Sequence, residues 1–164
     1  MQILTQHQIE QKIKRLAIQI LEQNYKEKEI ILAGINNNGM VFAKLLVDQL
    51  QQLTEITISL TQIRINPANP LADEITIGIE PGKLKNKVVI VVDDVANSGR
   101  TLFFATKPLF STICKKIEMA VLVERHHKSY PVMVEYVGIS LNTTLKEDIN
   151  VQIAEGNDWG VFLD

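Results

Sequence analysis

Cysteine is nearly absent: Cys114, within KPLFSTICKKIEMAV, is the only one in 164 residues. That excludes a disulfide framework and a cysteine metal cluster, and makes a buried, inert thiol a better reading of Cys114 than a nucleophile. Long apolar runs are also missing. No stretch approaches the roughly 18 apolar residues of a membrane-spanning helix, and the opening MQILTQHQIEQK lacks the basic start and apolar run of a secretory leader. A cytoplasmic protein with no membrane association is expected. Charge of one sign is missing too: 17 Lys and Arg stand against 19 Asp and Glu, for a net charge of −2. The chain as a whole has no electrostatic pull toward nucleic acid, so any polyanion site must be local. There is no lysine-bearing Walker loop and no dinucleotide turn of three spaced glycines.

What the sequence does have is two alternating kinds of hydrophobic pattern, on a composition that is 46% hydrophobic and 22% charged. This fits one globular domain over residues 1–164. Ile9, Ile13, Leu16, Ala17, Ile20 and Leu21 recur at helical spacing and predict an amphipathic helix ending near Asn24. IILAGI (Ile30–Ile35) predicts a buried strand, and Gly39–Leu50 a helix with Val41, Leu45 and Leu46 inward. Ile56–Ile63, Val88–Val92 and Lys116–Glu124 predict further strands, with a helix from about Arg100 to about Phe110. Such an order predicts an α/β fold: a mostly parallel central sheet with helices on both faces. Ligands on such sheets gather at the carboxyl ends of the strands. Asn66–Lys85, with Pro67, Pro70 and Pro81, predicts a long mobile excursion, one reading of which includes a hairpin through EITIGIE. Connections of this kind often serve as active-site lids.

The richest segment is KVVIVVDDVANSGRT, Lys87 to Thr101. An apolar strand runs into two carboxylates, Asp93 and Asp94, and then into a turn of small and polar residues that opens a helix. The turn can offer backbone N–H groups and the hydroxyls of Ser98 and Thr101 to a phosphate. The carboxylates one step away can accept hydrogen bonds from a ribose diol or hold Mg²⁺ through water.

This order resembles the phosphoribosyl-pyrophosphate (PRPP) signature of type I phosphoribosyltransferases, in which a hydrophobic strand leads into D-D and a turn ending T-G-x-T or S-G-x-T. Ala120 to Thr144, AVLVERHHKSYPVMVEYVGISLNTT, is similar to the region after the signature in the bacterial pyrimidine-operon attenuator proteins that double as uracil phosphoribosyltransferases. IEQKIKRLAIQILEQN and EIILAGINNNG align with that family in length and register. The resemblance implies a type I fold with a small hood built from the chain's two ends, and uridylate between hood and core. It also implies a homodimer or higher homo-oligomer.

Carried over by residue, the resemblance places Asp93 and Asp94 at the ribose hydroxyls and the waters of Mg²⁺, with Ala96, Asn97, Ser98, Gly99, Arg100 and Thr101 around the 5′-phosphate. Asn36, Asn37, Asn38 and Gly39 fall at the pyrophosphate loop, and Arg64 at the arginine of a Y-R-D-D element, completing a catalytic set with the two aspartates. Val123, Glu124 and Arg125, with Gly138, Ile139 and Ser140, would flank the base. An RNA-binding face would use Lys12, Lys14 and Arg15 of the first helix and Arg125, His127 and Lys128 after the fifth strand. Each has a plainer rival: Arg64 as a solvated surface cation, His126 and His127 as loop histidines, and Lys83, Lys85 and Lys87 as a solvated run rather than replacement cations.

Two departures weigh on activity. The relatives' pyrophosphate loop reads much like K-T-R-G, whereas this chain has N-N-N-G, and Ile65 and Asn66 stand where Y-R-D-D has acids. A charge-assisted bond contributes roughly 1.5–3 kcal/mol. Losing two such bonds to the leaving group corresponds to roughly 10²–10⁴-fold in turnover, at about 1.4 kcal/mol per decade. The sequence therefore carries three readings: a transferase joining ribose 5-phosphate from PRPP to a nucleobase, uracil first; a nucleotide-sensing RNA-binding regulator; and a catalytically weak homologue that binds PRPP or a nucleotide.

Overall fold

The computed structural model describes residues 1–144, 146–154, 156 and 158–164. After strand β1 (Gln2–Thr5), Thr5 caps helix α1 (Gln6–Asn24) in a reciprocal capping box with Gln8. α1 buries Ile9, Ile13, Leu16, Ala17 and Ile20, the stripe that its spacing predicts, with Leu21 at the margin. Strand β2 (Glu29–Ile35) is buried from Ile30 onward, as an apolar strand covered on both faces must be. Helix α2 (Asn36–Leu53) starts three residues before the expected Gly39 and presents Phe42, Ala43, Leu46 and Val47 to the core, with Val41 and Leu45 only half-buried.

Strand β3 (Thr57–Arg64) is followed by a short β4 (Thr76–Ile77) that returns antiparallel beside it, Ile63 opposite Ile77 and Arg64 opposite Thr76. The excursion is thus tied to the sheet edge, and its hairpin joins β3 to β4 rather than lying within EITIGIE. Burial of Ile75 and of Leu84, in a 3₁₀ turn over Pro81–Leu84, gives it an apolar reason to return.

Strands β5 (Val88–Ala96), β6 (Lys116–Arg125) and β7 (Tyr136–Leu141) complete a sheet of order β4-β3-β2-β5-β6-β7, parallel except at β4. Successive residues of β5 point to opposite faces. Val88, Ile90 and Val92 join the cluster under α1 and α2, while Val89 and Val91 join Leu102, Ala105 and Leu109 beyond the other face. Helix α3 (Arg100–Ala105) is shorter than expected, and a 3₁₀ turn over Lys107–Ser111 follows. Pro108 supplies no N–H to continue the α-helical ladder, and suits the first turn of the 3₁₀ segment instead.

The chain's two ends meet in a separate antiparallel sheet of order β1-β9-β8, where β8 is Ile149–Gln152 and β9 is Gly160–Leu163. This is the small hood that the family resemblance implies. Trp159 packs on the main core at the groove lined by Ile13 and Leu45.

Candidate active site

The site arises where two paired strands part. β2 pairs with β5 only as far as Gly34 opposite Val92, because the chain turns at Asn36, whose φ is +50°, into α2. β5 runs on to Ala96 along β6 alone. Its last four residues therefore have a free edge at the carboxyl end of the sheet, and β2 leads to β3 on one side while β5 leads to β6 on the other. Such a reversal opens a crevice for ligands. Here it is a cavity of about 440 Å³ lined by Ile35 and Asn36–Asn38 on one wall, Asp93–Val95, Asn97 and Thr101 on the other, and Pro67 and Ile149. The volume is in the range of small-molecule sites, roughly 300–1,000 Å³.

Asp93 and Asp94 stand on the free edge, both partly buried. Asp93 Oδ1 accepts the backbone N–H of Asp94 at 2.9 Å, and Asp94 Oδ1 accepts that of Val95 at 2.9 Å. Burial pushes the Asp93 carboxyl well above the usual carboxylate range, and the adjacent Asp94 charge adds to the shift. Burial raises Asp94 as well, against bonds from Asp93, Val95 and Asn38 that favour its charged form. A carboxyl whose charge is disfavoured by burial and by a neighbouring carboxylate is a place where a divalent cation would favour ionisation.

The turn after β5 is held in shape from outside. Gly99 takes φ +84°, and a β-carbon there would stand 2.5 Å from Val132 Cγ2. The carbonyl of Ser98 accepts the N–H groups of Ser129 at 2.9 Å and Tyr130 at 3.2 Å. Fixing that carbonyl outward aims the N–H of Gly99, on the opposite side of the same peptide plane, the other way. Val95–Leu102 enclose a small concavity of about 50 Å³.

The cavity brings together Asn36, Asn37, Asn38, Asp93, Asp94, Asn97 and Thr101 from the expected set, with Ala96, Ser98, Gly99 and Arg100 in the adjoining turn and Gly39 just behind, against Val92. The Asn36 side chain is already committed: Nδ2 donates to the Ile65 carbonyl at 2.8 Å and Oδ1 accepts the Ile65 N–H at 3.0 Å. Arg64 is exposed at the end of β3 and outside the lining. Val123, Glu124, Arg125, Gly138, Ile139 and Ser140 are not among the lining residues either. Ile139 instead faces α1, in a groove with Lys12 and Arg15. Arg125 adjoins the site at its rim, its guanidinium donating to Thr143 Oγ1 at 2.6 Å, to the carbonyls of Thr144 and Glu147, and to Asn97 Oδ1 at 3.5 Å.

Of the basic residues, Lys14 and Arg15 are exposed on α1, whereas Lys128 pairs with Glu124 at 3.1 Å. Lys87 pairs with Glu29 at 3.2 Å at the start of β5, the opposite end of the strand from the cavity, so it cannot replace missing cations. Among the described residues lining the cavity there is no lysine or arginine. Cys114 is half-buried and its thiol is pushed up by burial, in keeping with an inert residue. Sequence reasoning missed Ile149, whose short hood strand carries little pattern, and the commitment of Asn36, which no spacing reveals.

A sequence profile described as a phosphoribosyl transferase domain matches residues 1–155. The chain belongs to that family. It is 34% identical over 153 residues to the bifunctional protein PyrR of Streptomyces coelicolor, covering 87% of this chain and 78% of that protein. Against the bifunctional protein PyrR of Pediococcus pentosaceus the identity is 31%, over 92% and 90%. Among solved structures, a hypoxanthine-guanine phosphoribosyltransferase of Bacillus anthracis superposes with a TM-score of 0.74 at 23% identity, over 91% of this chain and 84% of that one. The fold is that of the type I phosphoribosyltransferases. No helix among the described residues is long and apolar enough to cross a membrane.

Proposed function

We propose that this chain transfers ribose 5-phosphate from PRPP to a nucleobase, uracil in first place, giving UMP and pyrophosphate. The observation that carries this reading is the Asp93–Asp94 pair on the free edge of β5, between a phosphate-sized turn and the start of α2. In this reading the turn Ala96–Thr101 takes the 5′-phosphate, Asp93 and Asp94 take the ribose hydroxyls, and Asn37 and Asn38 face the pyrophosphate. The base lies toward the carboxyl ends of β6 and β7, where Arg125 bridges Asn97 to the hood segment. Pro67 and Ile149 help to cover the cavity, excluding water from an electron-poor C1. The protein's task is positioning: no covalent nucleophile is needed.

Asp93 and Asp94 fit Mg²⁺. That ion keeps waters and takes substrate oxygens beside one or two carboxylates, which the pair lining the cavity supplies. Bound there, the ion supplies neutralisation of pyrophosphate charge. Action as one domain, in the cytoplasm and as a homodimer, belongs to the same reading.

The test is product formation from PRPP, Mg²⁺ and each of uracil, hypoxanthine, guanine, adenine, xanthine and orotate, followed by chromatography. UMP and pyrophosphate from uracil alone are expected. Conversion of a purine instead would overturn the choice of base, and no conversion at all would overturn the transferase.

The cation-free lining favours a second reading, in which the cavity mainly senses a nucleotide and the exposed Lys14 and Arg15 contact RNA. RNA affinity that falls steeply with salt, in a protein that turns over no base, would support it.

A further inference from the structure

We propose that Asn36 is a positioning residue whose amide latches the strap Ile65–Pro67 at the mouth of the cavity, rather than a ligand of the substrate's phosphates. The amide makes two bonds of opposite sense to a single residue: Nδ2 to the Ile65 carbonyl at 2.8 Å, and Oδ1 from the Ile65 N–H at 3.0 Å. This closed ring needs a donor and an acceptor on one planar group, which a carboxamide has and which lysine, serine and ionised aspartate lack. Asn36 sits at φ +50°, where asparagine is better tolerated than most residues with a side chain. Its own carbonyl accepts Gln62 Nε2 at 2.9 Å, so the residue is tied both to β3 and to the strap that follows it.

The strap's far end is held by the opposite wall. The Pro67 carbonyl accepts Arg100 Nη2 at 2.8 Å, and Pro67 lines the cavity. Between them, Asn66 Oδ1 accepts the N–H groups of Ala68 at 3.1 Å and Asn69 at 3.2 Å, which folds the strap into a turn. The segment therefore spans from the first residue of α2 to the first residue of α3, the two elements whose starts frame the site. A charged side chain at position 36 could not form this ring. The latch thus gives a reason for an uncharged residue at this corner. Its consequence for turnover rests on the transferase reading, because only a closed mouth shields the reacting carbon.

Hydrogen–deuterium exchange on the unliganded chain tests the latch directly, alongside PRPP kinetics. Asn36→Gly keeps the positive φ and removes both bonds. Exchange at the Ile65 amide, the one that donates to Asn36 Oδ1, is expected to rise about tenfold or more, the equivalent of about 1.4 kcal/mol. Amides in the centre of β5 should keep the parent rate. Gln62→Met, which loses only the bond to the Asn36 carbonyl, is expected to raise strap exchange about threefold. It serves should Asn36→Gly not fold. With substrates, Asn36→Gly should lower kcat more than it raises the KM for PRPP. Parent-rate strap exchange in folded variants, with weakened PRPP binding, would overturn the proposal and make Asn36 a ligand. Absence of product with every base would sink the transferase reading and leave the exchange result standing.

Discussion

A β-carbon on Gly39 would stand 2.6 Å from the carbonyl oxygen of Val92 and 3.3 Å from Asp93 Oδ1, so the first turn of α2 lies directly on β5 where β2 and β5 part. The nearest of these atoms is backbone, which cannot swing aside as the end of a flexible side chain can. Gly39→Ala must push α2 from the sheet, and overpacking of this kind costs about 1–3 kcal/mol. Urea denaturation should show a loss of that size. Because the displaced turn is a wall of the cavity, PRPP binding should weaken as well.

Asp93→Asn is expected to stabilise the protein at neutral pH. The folded Asp93 pKa lies well above its ordinary value of 3.8, so between the two values the folded state binds more protons than the unfolded state. Stability therefore falls as pH rises through that window, and the full penalty persists above the folded pKa. Asparagine removes the buried charge and keeps an oxygen for the Asp94 N–H. Thermal unfolding should give a higher Tm for the variant at about pH 7, with the gap closing as pH drops toward the unfolded carboxylate value. A variant less stable than the parent at neutral pH would mean that Asp93 is better compensated than its surroundings indicate.

Charge can be restored on the pyrophosphate side at Asn37 and Asn38, both exposed and neither tied to Ile65 as Asn36 is. Asn38→Arg should raise PRPP affinity by up to about tenfold, an exposed charge-assisted bond giving less than the roughly 1.5–3 kcal/mol of a buried one. Asn36→Lys should instead break the bonds to Ile65 and lower activity. Steady-state kinetics on the two single variants would separate these opposite effects.

Tyr136 anchors a buried polar cluster at the other end of the sheet. Its hydroxyl donates to Glu118 Oε1 at 2.9 Å and accepts Asn24 Nδ2 at 3.2 Å, while Asn24 also reaches Glu118 at 3.1 Å. Burial, with the Glu118 carboxylate beside it, pushes the Tyr136 phenol up and keeps it a donor across the ordinary pH range. Tyr136→Phe strips both Glu118 and Asn24 of a partner and should cost about 1–3 kcal/mol in urea denaturation. PRPP binding should be unchanged, since the cluster is remote from the cavity lining.

Most of the fold was legible because burial on two faces leaves its mark in the letters. The unbroken, mostly β-branched Val88–Val92 run reads as a covered strand, and the Ile9 to Leu21 stripe as an amphipathic helix, and both form. Boundaries were less legible. α3 stops at Ala105 for want of a proline N–H, and α2 begins at Asn36 because one asparagine takes a left-handed turn. In the site, Asp93, Asp94 and the turn after them could be read from local order alone. The roles of Asn36 and Arg125 could not, because their partners, Ile65 for the one and Thr143, Thr144 and Glu147 for the other, lie far away in sequence. The excursion was expected to be free because its prolines suit loops, and β4 pairing with β3 ties it down.

The central claim is that the cavity between the start of α2 and the free edge of β5 is the PRPP site. Isothermal titration of PRPP into the parent and into Asp94→Asn, with and without Mg²⁺, tests it most directly. The account predicts Mg²⁺-dependent binding by the parent and a loss of at least about tenfold, or about 1.4 kcal/mol, in a variant with an unchanged far-UV spectrum. Equal, Mg²⁺-dependent affinity in parent and variant would contradict it, and would place the PRPP site elsewhere on the molecule.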